Sequence, residues 1–179
     1  MIIHGPIGCG KTQRAIELVE KAREAGVRVL GIVSLRLMDG DETLGYEGLD
    51  LSTGSRFPMV MLSTLAEGED WRKLGKWKFS FSDSGFSEAN RILADAAAEM
   101  DGKAMVVADE YGHIELLGHG IHPGFTRVLE SLSRGGRLVV LCRIDKVDAV
   151  LGLLQDETRV MVLEADRVDF WESLGDCFI

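Results

Sequence analysis

The residues best suited to chemistry stand near the start of the chain, as Gly5-Pro6-Ile7-Gly8-Cys9-Gly10-Lys11-Thr12. Two glycines separated by four residues, then Lys and Thr, make the phosphate-binding loop pattern. Gly5, Gly8 and Gly10 let the backbone turn so that successive N–H groups face phosphate oxygens. A helix opening near Lys11 adds the positive end of its dipole. Lys11 is the type to meet the β- and γ-phosphates as a point charge, and Thr12 the type to ligate Mg²⁺ through its hydroxyl. The nucleotide-binding candidates are Gly5, Pro6, Ile7, Gly8, Cys9, Gly10, Lys11, Thr12 and Gln13. A plain Gly-rich turn is the competing reading.

A second group lies a hundred residues on. Lys103 to Ala108 is a short apolar run, the mark of a buried parallel strand, and it delivers Asp109-Glu110 at its end. Apolar strand followed by Asp is the form of a Walker B site, in which Asp109 completes the Mg²⁺ shell, usually through water. Glu110 is then placed to polarise an attacking water as general base. A helix cap or a solvated turn would use the same residue types. His113, His119 and His122 follow at spacings of six and three, but no Cys or nearby acid completes a zinc set.

The elements that must position these groups read as alternating strands and helices. Met1 to His4 is an apolar stub ahead of the loop. Ala15, Leu18, Val19 and Ala22 then repeat at helical spacing across Thr12–Ala25, with Gly26 as the stop. Val27 to Val33 is a second strand, so a βαβ unit and a parallel sheet are expected. Strand, loop and helix in that order favour the phosphate loop over the plain turn. Residues 39–78 change texture: glycines punctuate short β-like pieces at 46–51 and 57–62, which predicts a hairpin insert on an edge of the sheet, turning near Asp39-Gly40 and Thr53-Gly54. Trp71 and Trp77 fall inside it, as packing residues or as a lid or partner face.

Beyond the insert, 79–81 alternates as a short strand. A helix capped by Ser84 or Ser87 runs to about Met100, burying Ile92, Leu93, Ala96 and Ala97. Pro123 opens another, carrying Phe125, Val128, Leu129 and Leu132 on one face. The remaining expectations are a buried strand at 137–142, an Asp145-capped helix to about Leu154, a strand at 159–163 and a closing helix at 169–176. One domain over residues 1–179 is expected, without repeats or linkers.

Composition narrows the partners. The 179 residues carry a formal net charge of −9, with no cluster of Lys or Arg, which disfavours nucleic-acid binding. Cys9, Cys142 and Cys177 are odd in number and lack metal spacing, as suits a reducing cytoplasm. Cys9 reads as a small loop residue rather than an oxidation-sensitive one. No signal peptide and no run long enough to cross a bilayer is apparent, so a cytoplasmic protein away from membranes is expected.

Gly5 to Thr12, Gly45-Tyr46 with Leu49-Asp50-Leu51-Ser52-Thr53-Gly54, and Val107 to Leu116 with Phe125 together resemble the small nucleoside-triphosphatases of archaea and bacteria. That family has a vertebrate member called cancer-related nucleoside-triphosphatase. The resemblance follows element order over most of the chain and is specific mainly in the Asp-Glu-x-Gly-x-x-Glu run from Asp109 to Glu115. It implies a RecA-like α/β fold of the P-loop class, a mostly parallel sheet flanked by helices, and slow, Mg²⁺-dependent hydrolysis of many nucleoside triphosphates. It makes Lys11 and Thr12 the phosphate and Mg²⁺ contacts, Asp109 the Mg²⁺ helper and Glu110 the water activator. Asp166-Arg167 resembles an Asn-Arg pair near the family's C-terminal end, adding Arg167 to the nucleotide-binding candidates. This chain departs where the family carries Thr-x-Glu-x-Arg after the second strand. Ser34 to Met38 stands there, so the acid and the second basic residue are missing. His113-Ile114 replaces Pro or Lys and Met.

An Mg²⁺-dependent triphosphatase is therefore the leading expectation, with Lys11 and Glu110 catalytic and Arg143 or Arg167 as candidate arginine fingers. A P-loop small-molecule or nucleotide kinase would use the same loop and an acceptor pocket built from the insert. A nucleotide-gated module for cofactor assembly or transport would offer the insert to a protein partner.

Overall fold

The computed structural model describes residues 1–154 and 158–175. A single nine-stranded sheet, in the order β5-β6-β4-β3-β2-β7-β8-β1-β9, carries helices on both faces. Its strands are β1 (Ile2–His4), β2 (Arg28–Asp39), β3 (Glu42–Asp50), β4 (Arg56–Leu62), β5 (Trp71–Lys73), β6 (Phe79–Ser82), β7 (Ala104–Tyr111), β8 (Arg137–Cys142) and β9 (Val162–Glu164). The helices are α1 (Lys11–Glu24), α2 (Asp83–Ala98), α3 (His113–Leu116), α4 (His122–Ser131), α5 (Val147–Leu151) and α6 (Phe170–Leu174).

The parallel half runs β2-β7-β8-β1-β9. Side chains alternate across these strands, so each strand feeds two cores. Ile3, Val107, Val139 and Leu141 meet the Ala15, Leu18, Val19 and Ala22 stripe of α1 and Phe170 of α6. Ile2, Val106, Ala108 and Val140 face the other way, onto Ala89, Leu93 and Ala97 of α2 and Phe125 and Val128 of α4. The α2 and α4 backbones approach closely at Gly124, where a Cβ would lie 2.9 Å from the Asn90 carbonyl oxygen. Asn90 spans the same gap, accepting from the Gly124 N–H at 2.7 Å and donating to the Gly120 carbonyl at 2.8 Å.

The other half is antiparallel throughout, joining β2 to β3, β3 to β4, β4 to β6 and β6 to β5. The expectation of a mostly parallel sheet thus describes one half only. The insert begins earlier than residue 39, because β2 does not stop at Val33. It runs on to Asp39, exchanging its parallel neighbour β7 for β3, with Ser34 opposite Gly48 and Arg36 opposite Tyr46. The strand leaves its parallel neighbour after Ile32, and the change of texture at residue 39 marks the turn at its far end. Both expected turns are present: Asp39 pairs with Glu42, and Asp50 accepts from the Ser52 N–H and the Thr53 hydroxyl at 2.8 and 2.9 Å.

Other boundaries move for local reasons. Ser82, not Ser84 or Ser87, caps α2, accepting from the Gly85 N–H at 2.8 Å. Asp145 does not cap α5. It pairs with Arg143 and Lys146 at 3.1 and 3.0 Å inside a short 3₁₀ turn, and the helix ends at Leu151 rather than Leu154. The last strand is three residues, Val162–Glu164. Asp176, the expected end of the closing helix, and Cys177 lie outside the described residues. No described helix is long and apolar enough to cross a membrane.

Candidate functional site

The phosphate loop joins the carboxyl end of β1, which lies between β8 and β9 in the parallel half, to α1. Gly10 takes a left-handed conformation (φ 92°) and leaves α1 without a side-chain cap, so the opening N–H groups of a fourteen-residue helix remain for an anion. No acid lies in that first turn, and Lys11 and Arg14 add their charge to the positive end of the dipole, so the helix start is left for an anion to neutralise. Gly5 has φ 150°, and a Cβ there would meet the Cys9 sulfur at 2.6 Å. Cys9 thus fills the space a side chain at residue 5 would need, and is free and half-buried. The Lys11 ammonium donates to the Gly5 and Pro6 carbonyls at 3.1 and 2.9 Å, holding its charge within the loop.

The structure brings Asp109 to this loop across ninety-seven residues of sequence. The Thr12 hydroxyl donates to Asp109 Oδ2 at 2.9 Å, and the Ser34 N–H donates to the same oxygen at 2.9 Å. Asp109 is 1% exposed, and its second oxygen, Oδ1, is buried without a hydrogen-bond partner. Burial and the neighbouring Glu110 push its carboxyl up to about 7, against the opposing pull of the Ser34 and Thr12 bonds and of Lys11. A hydroxyl and a buried carboxylate with one unused oxygen are hard donors of the kind Mg²⁺ takes together with phosphate oxygens and water. The residues fit that ion.

Glu110 is set by a fault in the strand. Ala108 pairs with Val140 and Tyr111 with Cys142, so β7 spends one residue more than β8 over this stretch. In a regular strand 108 and 110 would share a face; here Ala108 and Tyr111 share the α2/α4 core. The bulge leaves Glu110 exposed at φ 68°, the only positive φ outside glycine among the described residues. A left-handed residue with a side chain costs about 1–2 kcal/mol, and bulges beside active sites are a common means of re-aiming a side chain. Glu110 lines a cavity of about 220 Å³ with Ile7, Gly8, Gly10, Lys11, Thr12 and Gln13.

A family model described as NTPase matches residues 1–170. The chain belongs to the NTPase family. Nucleoside-triphosphatase THEP1 of Methanocaldococcus jannaschii is 27% identical over 118 residues, which cover 64% of this chain and 62% of that relative. The match thus spans under two thirds of the relative's length. Among solved structures, a human cancer-related nucleoside triphosphatase superposes with a TM-score of 0.71 at 22% identity, covering 99% of this chain and 94% of the other. THEP1 from Aquifex aeolicus superposes with a TM-score of 0.73 at 19% identity, covering 99% and 95%. These likenesses establish the α/β fold, a sheet flanked by helices.

Within this member of the family the arginines sort differently from the sequence reading. Arg167 is held by Asp169 on the exposed surface and does not line the phosphate cavity. Its neighbour Ala165 is tied to α1 by the Arg14 side chain, 3.1 Å from the Ala165 carbonyl. Arg143 pairs with Asp145 and lines a second cavity together with Asp109 and Glu110. Arg36 is the arginine that lines the phosphate cavity, and a methyl group on Gly8 would lie 3.8 Å from its guanidinium. The sequence signal for it was faint: a basic residue in the segment that departs from the family pattern, on a strand thought to have ended.

Glu115 was also underread. It is 3% exposed and closes the 112–121 loop, accepting from the Gly112 N–H at 2.9 Å and the Ile121 N–H at 3.3 Å. Burial still pushes its carboxyl up to about 7. His122 bonds the Tyr111 hydroxyl through Nδ1 at 2.8 Å, and His113 packs on Trp77 with ring centroids 6.2 Å apart.

Proposed function

We propose that this chain is an Mg²⁺-dependent nucleoside triphosphatase that hydrolyses ATP, GTP and other nucleoside triphosphates to the diphosphate and phosphate. The observation that carries the reading is the β7 bulge, which spends backbone strain to put an exposed carboxylate beside the Thr12–Asp109 pair and the uncapped helix end. Strain of this kind persists where surrounding structure enforces it and concentrates at functional sites.

The α1 N–H groups and Lys11 bind the phosphate chain, and Lys11 exchanges its loop carbonyls for phosphate oxygens as substrate enters. Thr12 and Asp109 hold Mg²⁺, whose charge offsets that of the β- and γ-phosphates when bound. Glu110 orients a water for in-line attack and accepts its proton, and Arg36 faces the charge that grows on the transferring group. A cytoplasmic setting belongs to the same reading and is supported by the free thiols of Cys9 and Cys142.

The experiment is phosphate release from a panel of nucleoside triphosphates with Mg²⁺, wild type beside Glu110→Gln. Release from several triphosphates is expected, reduced about 10²–10⁴-fold in Glu110→Gln with triphosphate binding retained. A Glu110→Gln protein that hydrolyses at the wild-type rate would remove the base from the mechanism.

A further inference from the structure

Adjoining the phosphate cavity, and lined like it by Ile7 and Glu110, lies a second cavity of about 270 Å³. Five aromatic rings wall it: Tyr46 of β3, Trp77 of the β5–β6 turn, Phe79 and Phe81 of β6 and Phe86 of α2. They form a linked surface, with Tyr46–Phe79 centroids at 6.2 Å, Trp77–Phe81 at 5.7 Å and Phe81–Phe86 at 6.0 Å. None of the five is fully buried, and Trp77 is 44% exposed. Aromatic rings that gather around an opening, when a core could hide them, mark a ligand pocket. The floor is polar, made by Ser34, Asp109 and Glu110. Three residues, Ile7, Ser34 and Tyr46, are shared with the phosphate cavity beside Glu110, so the two spaces meet at that carboxylate.

The direction of the nucleotide decides what this cavity can hold. The Thr12–Asp109 contact marks the end of the phosphate chain where β- and γ-phosphates lie. The nucleoside leaves from the α-phosphate, away from that end, so its own base does not reach the aromatic wall. The occupant is a second molecule, on the side from which the γ-phosphorus is attacked. Apolar walls over a carboxylate floor disfavour an anion there, since the charge of Arg143, which also lines the cavity, is already paired with Asp145 at 3.1 Å.

We propose that this cavity binds an uncharged planar aromatic alcohol and presents its hydroxyl to the γ-phosphate in place of water. In that step the alcohol oxygen bonds to the γ-phosphorus as the bond to the β,γ-bridging oxygen breaks. The hydroxyl proton passes to Glu110 and on to solvent, and the diphosphate leaves with the bond's electron pair. The products are a phosphate monoester and a nucleoside diphosphate. This rests on the phosphate-site reading above, with water as the default acceptor when the aromatic cavity is open.

The test uses 2-naphthalenemethanol as probe, with 2-naphthoate as its anionic counterpart, on the full chain. Calorimetry is expected to show the alcohol binding, at least tenfold weaker to Trp77→Ala and to Phe81→Ala and not detectably replaced by the naphthoate. With Mg–ATP, the alcohol should suppress phosphate release and yield a naphthylmethyl phosphate signal by ³¹P NMR. No binding, equal binding by the naphthoate, or binding indifferent to both substitutions overturns the site. Binding that leaves phosphate release unchanged, or suppresses it without forming the monoester, overturns the transfer step. Calorimetry reads the cavity without turnover, so a protein that releases no phosphate from any triphosphate defeats the triphosphatase reading separately.

Discussion

In the parallel half, β7 and β8 are buried on both faces for almost their whole length, whereas β4 and β5 in the hairpin half keep most residues in reach of solvent. The difference follows from connectivity. Parallel strands are joined by helices that must return over the sheet and so cover it, while hairpins close through short turns and leave a face open. The two halves also contribute different chemistry. The carboxyl ends of β1 and β7 supply the phosphate loop and the Asp109-Glu110 bulge, groups that need a rigid, dry support. The hairpins supply aromatic surface around an opening. β2 belongs to both: its first part pairs with β7, and its second carries Arg36 and pairs with β3.

The comparison predicts unequal energetics. Leu141→Ala, at a fully buried position on β8, is expected to cost about 3 kcal/mol in urea unfolding, by lost burial plus the cavity left behind. Leu62→Ala, half-buried on β4, should cost less than half of that. Equal losses would mean that the hairpins share the stabilising core after all.

A second contrast sets the buried carboxyls of the β7 region against the surface ones. Surface acids such as Asp83 and Asp169 are held below their usual values by Arg72 and Arg167. Glu115 is pushed up from 4.5 to about 7 and Asp109 from 3.8 to about 7, chiefly by burial. The folded state therefore keeps protons that the unfolded chain has already released. Their contribution is full below about pH 4, falls as pH rises, and is lost by about pH 7. Without Mg²⁺, the unfolding free energy from urea titration should drop across this window by up to about 1.4 kcal/mol per pH unit for each group, offset above about pH 5 by one opposing group, the buried Met1 amine, which burial pushes down from 8.0 to about 5. Glu115→Gln should flatten the slope, and a wild type that gains stability over the same window would contradict the assignment.

The smallest effect separates the arginines. Arg36→Ala should lower kcat about tenfold with KM changed less, by removing a charge facing the transferring phosphoryl group. Arg167→Ala, a surface member of a pair with Asp169, should stay within twofold. The reverse order in phosphate-release kinetics would return the nucleotide contact to Arg167.

Most of the parallel half was readable because its signals are local. Gly5 to Thr12 announces the loop by residue type and spacing, the Ala15, Leu18, Val19 and Ala22 period announces α1, and Lys103 to Ala108 announces a buried strand. The hairpin half was readable only as texture. Its strands pair with partners set by long-range register, and the 34–39 stretch of β2 alternates like a loop edge once it leaves the covered core. Short caps failed for the same reason: Ser82, Ser84 and Ser87 are equivalent to a propensity, and only the end of β6 selects Ser82.

Residue order alone therefore located the glycine-rich Gly5–Thr12 loop between a strand and a helix and a carboxylate pair at the end of a buried strand, because turn geometry and strand burial are properties of neighbouring residues. Packing settled the rest. The Thr12–Asp109 bond, the bulge that turns Glu110 outward, the approach of Arg36 to Gly8 and the closing of five aromatic rings around one cavity each join residues far apart in sequence. Such contacts depend on strand register and helix approach across the sheet, which no local pattern of residue types encodes.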